Sequence, residues 1–288
     1  MSVIWGLPYL FIRIAVTDIS PGMLVFSRTA IGALILVPIA LARGELRGLL
    51  KYWLPLVVFS AVEVAIPWFM LSSAEQKISS SLAGLLVSAV PLVGVVIATA
   101  LGNREYLGLA SVSGLLLGVA GVGAIVGFDL RGSNWLALSQ VGIVVVGYAV
   151  GPVILSRYLQ GAPAVGVIAV ALTISAIVYA PVAAFQWPHS VPRLEVIGAV
   201  AVLAVVCTAI AFLLFFALIA EIGPVRATVI TYINPAVAAV LGVIVLRENF
   251  TVGMATGFVL VVAGSVLATR RPRRPAKVVS PVSASPSD

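Results

Sequence analysis

The chain repeats its landmarks at a nearly constant interval, and this constrains the fold more than any single motif. Seven landmarks recur 143 or 144 residues later: Pro8 as Pro152, Arg13 as Arg157, Pro38 as Pro181, Pro91 as Pro235, Arg104-Glu105 as Arg247-Glu248, Gly114 as Gly257 and Gly121 as Gly264. Matches in one register indicate duplication of a single unit. We therefore expect two repeats, 1–134 and 135–269, followed by a basic, disordered tail over 270–288.

The composition identifies the solvent around this chain. It is 61% hydrophobic and 9% charged, against about 25% charged residues in soluble domains. A soluble protein of 288 residues could not bury so much apolar surface. The net charge of +7 comes mostly from one short segment: Arg270, Arg271, Arg273, Arg274 and Lys277. A basic cluster after a membrane helix contacts anionic headgroups, so we expect membrane lipid, and no nucleic acid, as a partner.

Polar loops divide the chain into ten apolar runs. A helix needs about 20 apolar residues to cross the hydrocarbon core. The predicted spans are 3–17, 22–42, 52–72, 78–101, 107–127, 135–157, 163–186, 194–220, 225–246 and 252–269. The expected fold is an all-α integral membrane protein with ten transmembrane helices. The first span is short, about 22 Å of helix, and leaves open whether the chain starts upstream of Met1.

Basic residues in the loops predict the orientation. With a cytoplasmic N-terminus, the inner loops hold Arg43, Arg47, Lys51, Arg104 and Arg157 as well as the five tail charges. The outer loops then hold Lys77, Arg131, Arg193 and Arg247. Positively charged loops remain inside, so we expect both termini in the cytoplasm and a multi-pass protein of the cytoplasmic membrane.

The number of helices in each repeat has a geometric consequence. Because five is odd, the second repeat enters the membrane from the opposite face, and the two repeats are inverted. Inverted repeats can exchange conformations, which makes two access states nearly equal in energy and is typical of transporters that work by alternating access.

Several short motifs carry a family resemblance. They are Trp5-Gly6, Arg28, the stretch from Ser73-Ala74-Glu75-Gln76 through Pro91 to Arg104-Glu105, and a counterpart from Ala217 to Gly264 that holds Ile233-Asn234-Pro235 and Arg247-Glu248. In these motifs the chain resembles the ten-helix EamA-domain transporters of the drug/metabolite transporter superfamily. The resemblance implies a secondary carrier of small organic metabolites or drugs, often an exporter, in the cytoplasmic membrane.

Two charged residues within the spans are the leading site candidates. Glu63 lies about 13 Å from the outer end of span three, and an ionised side chain at such depth costs about 2.5–3.5 kcal/mol. Glu63 is therefore expected to bind solute or a coupling proton, or to lock two helices in an ion pair. Arg28 of span two is its expected partner, since consecutive spans are antiparallel neighbours. Alternatively, Arg28 reaches the outer headgroups.

Aromatic residues and prolines within the spans supply the other site candidates. Trp5, Tyr9, Trp68, Tyr148 and Tyr232 are expected to line a cavity for an amphipathic solute, or to lie at the membrane interface. Prolines inside helices free a backbone carbonyl, and broken helices form binding sites in transporters. The symmetric candidates are Pro91 with Ser88, and Pro235 with Asn234 and Tyr232. Alternatively, the prolines only shape the packing of the helices.

Other conspicuous residues are assigned structural roles. Arg13 and Arg157 lie near the C-terminal ends of their helices, where a cation is favoured and can reach a headgroup. Arg104-Glu105 and Arg247-Glu248 are expected to anchor loops by local ion pairs, or alternatively to act in gating. The stripe Gly114, Gly118 and Gly121 permits close helix packing, either within the chain or in a homodimer.

The sequence also excludes several functions. The single histidine, His189, lies in a predicted loop, and we find no metal-ligand cluster, no phosphate-binding loop with lysine and no Ser/His/Asp set within the spans. We therefore expect no enzyme activity and no cofactor. Two alternatives to a carrier of small organic solutes stay open: a translocator of lipid-linked or nucleotide-linked sugars, and a membrane assembly partner that does not transport.

Overall fold

The chain folds into a bundle of apolar helices. The structure, a computed structural model, describes residues 1–102, 108–127, 134–188, 190–223 and 230–269. Within these residues the helices are α1 (Ser2–Ala15), α2 (Pro21–Ala42), α3 (Leu49–Ala74), α4 (Ser80–Ala100), α5 (Leu109–Gly127), α6 (Trp135–Tyr158), α7 (Ala164–Phe185), α8 (Leu194–Ile222), α9 (Ile230–Leu246) and α10 (Val252–Thr269). No strand occurs among them.

Eight of these helices are long and apolar enough to cross a membrane, and α1 and α9 are shorter apolar helices. The positions of the predicted spans agree with the helices because long apolar runs alternate with short polar loops, but within the described residues eight of the ten predicted transmembrane helices have the length to span. The predicted starts of spans five and nine, the Arg104-Glu105 pair, His189 and the tail from residue 270 lie outside the described residues.

Polar side chains at the loop ends start several helices. The hydroxyl of Ser20 accepts from the amide of Met23 at 3.2 Å, directly before Pro21 at the first position of α2. Ser79 and Asn134 cap α4 and α6 in the same way. These oxygens satisfy amide groups that have no partner within the helix, so polar loop residues fix where α2, α4 and α6 begin.

Two helices are irregular next to a proline. In α4 the helix is interrupted at residues 88–89, because Pro91 has no N–H to donate to the carbonyl of Val87. In α3 a π-helical turn spans Ser60–Ala65, just before Pro67. The break predicted at Pro91 is therefore present, whereas Pro235 lies inside a continuous α9.

Corresponding helices of the two halves pack against each other in antiparallel fashion. In the α5–α10 contact, a Cβ added to Gly114 would lie 2.7 Å from the Gly264 carbonyl oxygen, and one added to Gly121 would lie 2.7 Å from that of Gly257. From Gly114 to Gly121 of α5, the facing residues of α10 run backwards from Gly264 to Gly257, so the two helices are antiparallel. The glycine stripe therefore packs within the chain, and it gives no support for a homodimer.

The α2–α7 contact has the same antiparallel arrangement. Gly22 faces Val182, and Gly32 faces Leu172 ten residues earlier in α7. The remaining packing is also symmetric between halves: α1 packs against α8 and α9, and α6 packs against their counterparts α3 and α4. The two halves thus share one packing scheme.

Candidate functional site

The two π-helical turns occupy corresponding places in the two halves. The turn in α3 covers Ser60–Ala65, and the turn in α8 covers Val205–Ile210, 145 residues later. Thr208 is the fourth residue of its turn, as Glu63 is of the turn in α3. π-helical turns are uncommon and frequently occur at functional sites. The residues in and around both turns are therefore candidate site residues.

Arg28 lies between the two halves. Its side chain is buried, its Nε donates to the hydroxyl of Thr208 at 2.9 Å, and its guanidinium carbon lies 3.6 Å from the ring centroid of Trp68. The Thr208 hydroxyl in turn donates to the carbonyl of Leu203 at 2.8 Å. The guanidinium is therefore held by the hydrogen bond that it donates to α8 and by cation–π contact with α3.

The expected pairing of Arg28 with Glu63 is not seen, since no ion pair joins the two in the described part of the chain. Glu63 is half-buried, and its Oε2 has no hydrogen-bond partner among the described residues. Its carboxylate packs directly against Gly151 of α6, where any side chain would overlap it. Glu63 thus faces a neighbouring helix, as an ionisable group at this depth requires.

Two tyrosines complete the cluster around Arg28. Tyr148 of α6 packs against the buried hydrophobic cluster that holds Trp68, and it interacts electrostatically with both Arg28 and Glu63. Tyr9 of α1 is buried and interacts electrostatically with Arg28 and Tyr148. We define the central cluster as these contacting or electrostatically coupled residues: Tyr9, Arg28, Glu63, Trp68, Tyr148 and Thr208.

The other predicted site residues have different neighbours. The ring of Trp5 lies 5.9 Å from that of Phe212 and 4.6 Å from that of Phe215, both in α8. Tyr232 contacts Thr269 of α10, its hydroxyl 3.4 Å from the threonine Oγ1.

Ser88, Pro91 and Asn234 lie along α4 and α9. The Ser88 hydroxyl donates to the Leu85 carbonyl inside the break, and Pro91 is half-buried just after it. The backbone carbonyl oxygen of Asn234 lies at the contact between α1 and α9, 3.0 Å from a Cβ added to Gly6. Of the ten predicted residues, the structure brings Tyr9, Arg28, Glu63, Trp68 and Tyr148 together.

One buried carboxylate was missed by the sequence analysis as a site residue. Glu75 has no exposed surface, and neither of its carboxylate oxygens has a hydrogen-bond partner within the described residues. It interacts electrostatically with Arg13, Arg28 and Glu248. The predicted third span stops at residue 72, which assigned Glu75 to a loop. Glu75 lies seven residues, about two helical turns, after Trp68, so both lie on one face of the helix. This spacing is the sequence signal that points to Glu75 as a site residue.

Arg13 differs from its expected role as a headgroup contact. Its Nη1 donates to the backbone carbonyl of Glu75 at the end of α3, so it joins α1 to α3 within the protein. Arg157 is exposed, in agreement with its expected position at a helix end.

Polar contacts link several elements at the end of the bundle that holds Asp18, which we call the Asp18 end. Glu248 accepts hydrogen bonds from the amides of Ser80 and Ser81 at 2.7 and 2.9 Å, and so anchors the α9–α10 loop to the first turn of α4. The anchoring expected of Glu248 is thus present, but its partners are two backbone amides and the Ser81 hydroxyl of a distant helix instead of a local cation.

A bidentate ion pair adds a second link at the Asp18 end. Arg193, at the start of α8, binds Asp18 of the α1–α2 loop with an Nη2–Oδ1 distance of 2.9 Å, and its amide donates to the same carboxylate at 3.1 Å. These hydrogen bonds lower the pKa of Asp18 from 3.8 to about 2. The pair therefore remains ionised at neutral pH.

Comparisons with known proteins agree with this architecture. One solved crystal structure, described only as that of a protein, is similar over 93% of this chain and 94% of its own, with a TM-score of 0.67 and 24% sequence identity. A search of curated proteins gave no match. The model of the EamA-like transporter family matches twice, over residues 1–127 and 135–270. The protein is therefore a membrane transporter of the drug/metabolite type, and the chain belongs to the EamA-like transporter family.

Proposed function

We propose that the protein is a secondary carrier of small organic molecules that works by alternating access of two inverted five-helix repeats. The antiparallel packing of corresponding helices, α2 on α7 and α5 on α10, is the observation that carries this proposal. Copies of one unit that run in opposite directions in contact are what an inverted duplication requires. The two separate family matches support the same division of the chain.

The central cluster is the proposed solute site. It joins side chains of both halves, since Arg28 of α2 donates to Thr208 of α8 and Tyr148 of α6 packs against the hydrophobic cluster that holds Trp68 of α3. A rearrangement of the halves changes these contacts directly. Inverted-repeat transporters place solute and coupling ions at such a junction, next to irregular helices.

Glu63 is the proposed coupling residue. A carboxyl group with an oxygen buried without a hydrogen-bond partner is more stable as the neutral acid, and its release of a proton can accompany a change of access. We expect Glu63→Gln to fold normally and to lose most pH-dependent flux in vesicles. Unchanged uptake and an unchanged pH dependence would remove the proton role.

The proposed orientation places both termini in the cytoplasm and the Asp18 end outside, with export as the physiological direction. The excess of basic residues in the opposite loops supports it. Single cysteines in the 102–106 and 247–251 loops, in a background where Cys207 is replaced by alanine, should react with an impermeant thiol reagent from opposite sides of the membrane. Labelling from one side only would contradict the inverted repeat.

The decisive test of the carrier itself is solute flux by purified protein in liposomes. We expect saturable uptake and counterflow, in which a solute gradient on one side drives labelled solute from the other. Vesicles that show neither, with a broad solute panel and correctly folded protein, would favour a protein that assembles with other membrane components and does not transport.

A further inference from the structure

Arg28 carries a buried positive charge whose hydrogen-bonding capacity is only partly used. Its side chain is 7% exposed, and Thr208 accepts from Nε alone. Within the described residues the structure gives Nη1 and Nη2 no acceptor and gives Arg28 no ion pair. A guanidinium group is planar and carries five N–H donors in a fork. The edge formed by Nη1 and Nη2, which we call the open edge, therefore remains available for hydrogen bonds.

A buried cation is costly unless an anion or several acceptors surround it. The carboxylate of Glu75 interacts electrostatically with Arg28, but both of its oxygens lack a hydrogen-bond partner among the described residues. Glu75 therefore does not fill the open edge of Arg28. The polar shell of this guanidinium is incomplete, and a group from outside the chain can complete it.

The geometry defines the chemistry of that group. Two parallel N–H donors match the two oxygens of a carboxylate. The ring of Trp68 stacks on the guanidinium, and Tyr9 and Tyr148 are the aromatic neighbours with which Arg28 interacts electrostatically. Aromatic side chains favour a solute with an apolar or aromatic body, and a single guanidinium edge matches one negative charge.

We propose that the solute is an organic monocarboxylate, whose carboxylate binds the two Nη nitrogens of Arg28 while its apolar body contacts the aromatic rings of the central cluster. This inference rests on the proposed carrier function, because it assigns the solute class of the same site. Thr208 is a positioning residue, since it fixes the plane of the fork through Nε.

Ligand binding to purified full-length protein tests the inference without any transport step. The probes are benzoate, phenylacetate and indole-3-acetate, each paired with its neutral amide, and phenyl phosphate as a different anion. A ligand that binds the folded state raises the melting temperature. We expect at least one carboxylate to raise it, while its amide does not.

Variants then locate the binding site. Arg28→Lys keeps the charge but loses the fork, and we expect it to weaken carboxylate binding about tenfold or more. Thr208→Val should weaken binding by a smaller factor, since the fork remains but its plane is no longer fixed. Arg157→Lys and Thr173→Val are matched controls outside the cluster and should leave the affinity unchanged.

Three results would overturn the inference: amides that bind as well as carboxylates, a carboxylate shift that persists in Arg28→Lys, or tighter binding of phenyl phosphate. Absence of any ligand-induced shift across the panel would also overturn it. Flux measurements distinguish this failure from failure of the carrier. Arg28-dependent binding without flux refutes transport alone, whereas flux of neutral or cationic solutes that Arg28→Lys does not change refutes the carboxylate alone.

Discussion

The contact between α5 and α10 allows a sharp test with a matched pair of glycines on one helix. A Cβ added to Gly121 would lie 2.7 Å from the carbonyl oxygen of Gly257 and 2.7 Å from the amide nitrogen of Val261. Both are backbone atoms, which have no flexible side chain to move aside. A Cβ added to Gly123, two residues further along, meets nothing within 4 Å.

The expected magnitude follows from two opposing effects. Alanine favours a helix over glycine by about 1 kcal/mol, and this gain applies to both positions. Overpacking costs about 1–3 kcal/mol and applies only to Gly121→Ala. The difference between the two variants is therefore the overpacking cost, about 2 kcal/mol in the middle of that range, which corresponds to a melting temperature about 4–8 °C lower for Gly121→Ala.

Thermal unfolding of the purified variants in one detergent measures this difference. Leucine at the same two positions should widen it, because a larger side chain forces the helices further apart at residue 121 and points into open space at residue 123. Equal melting temperatures for Gly121→Ala and Gly123→Ala would refute the close antiparallel packing of α5 and α10.

Two further predictions concern the site and the Asp18 end. Gly151→Ala should displace the Glu63 carboxylate and reduce pH-dependent flux. The control is Gly142→Ala on the same helix, where an added Cβ meets nothing within 4 Å, and this variant should keep its flux. Equal flux in both variants would contradict the packing of Glu63 against Gly151. Asp18 has a folded-state pKa of about 2, below its ordinary value of 3.8, so the stability from its pair with Arg193 is present above pH 3.8 and is lost as the pH falls through about 2. The difference in melting temperature between wild type and Asp18→Asn should therefore be constant from pH 7 to about 4 and shrink below that, and a difference that shrinks already between pH 7 and 5 would contradict the ion pair.

The helices could be predicted because apolar runs and polar loops alternate clearly. The N-terminal capping residues Ser20, Ser79 and Asn134 mark boundaries that a count of apolar residues locates only approximately. The effect of a proline could not be predicted from its presence, since Pro91 interrupts α4 and Pro235 does not interrupt α9. Whether a helix breaks depends on what its neighbours offer the freed carbonyl.

The central cluster was predicted in part. Depth within the spans identified Arg28 and Glu63, and aromatic type identified Tyr9, Trp68 and Tyr148. The partner of Arg28 was wrong, because the prediction relied on the neighbour in sequence, α3, for a polar contact. In the structure α2 packs mainly on α7 and also contacts the π-helical turn of α8, where Thr208 accepts from Arg28. Contacts between distant segments leave no mark in local sequence.

The unequal helices α4 and α9 have a consequence for timing. In a carrier made of two identical halves, the conformations open to each face of the membrane would be equally populated. Here one half holds a break at residues 88–89 and a carboxylate at residue 63, whereas the other holds a continuous helix and a hydroxyl at residue 208. Under the proposed cycle, the outward-open and inward-open conformations without solute therefore differ in population. Solute gradients determine the net direction, but this bias determines which face responds faster when solute arrives.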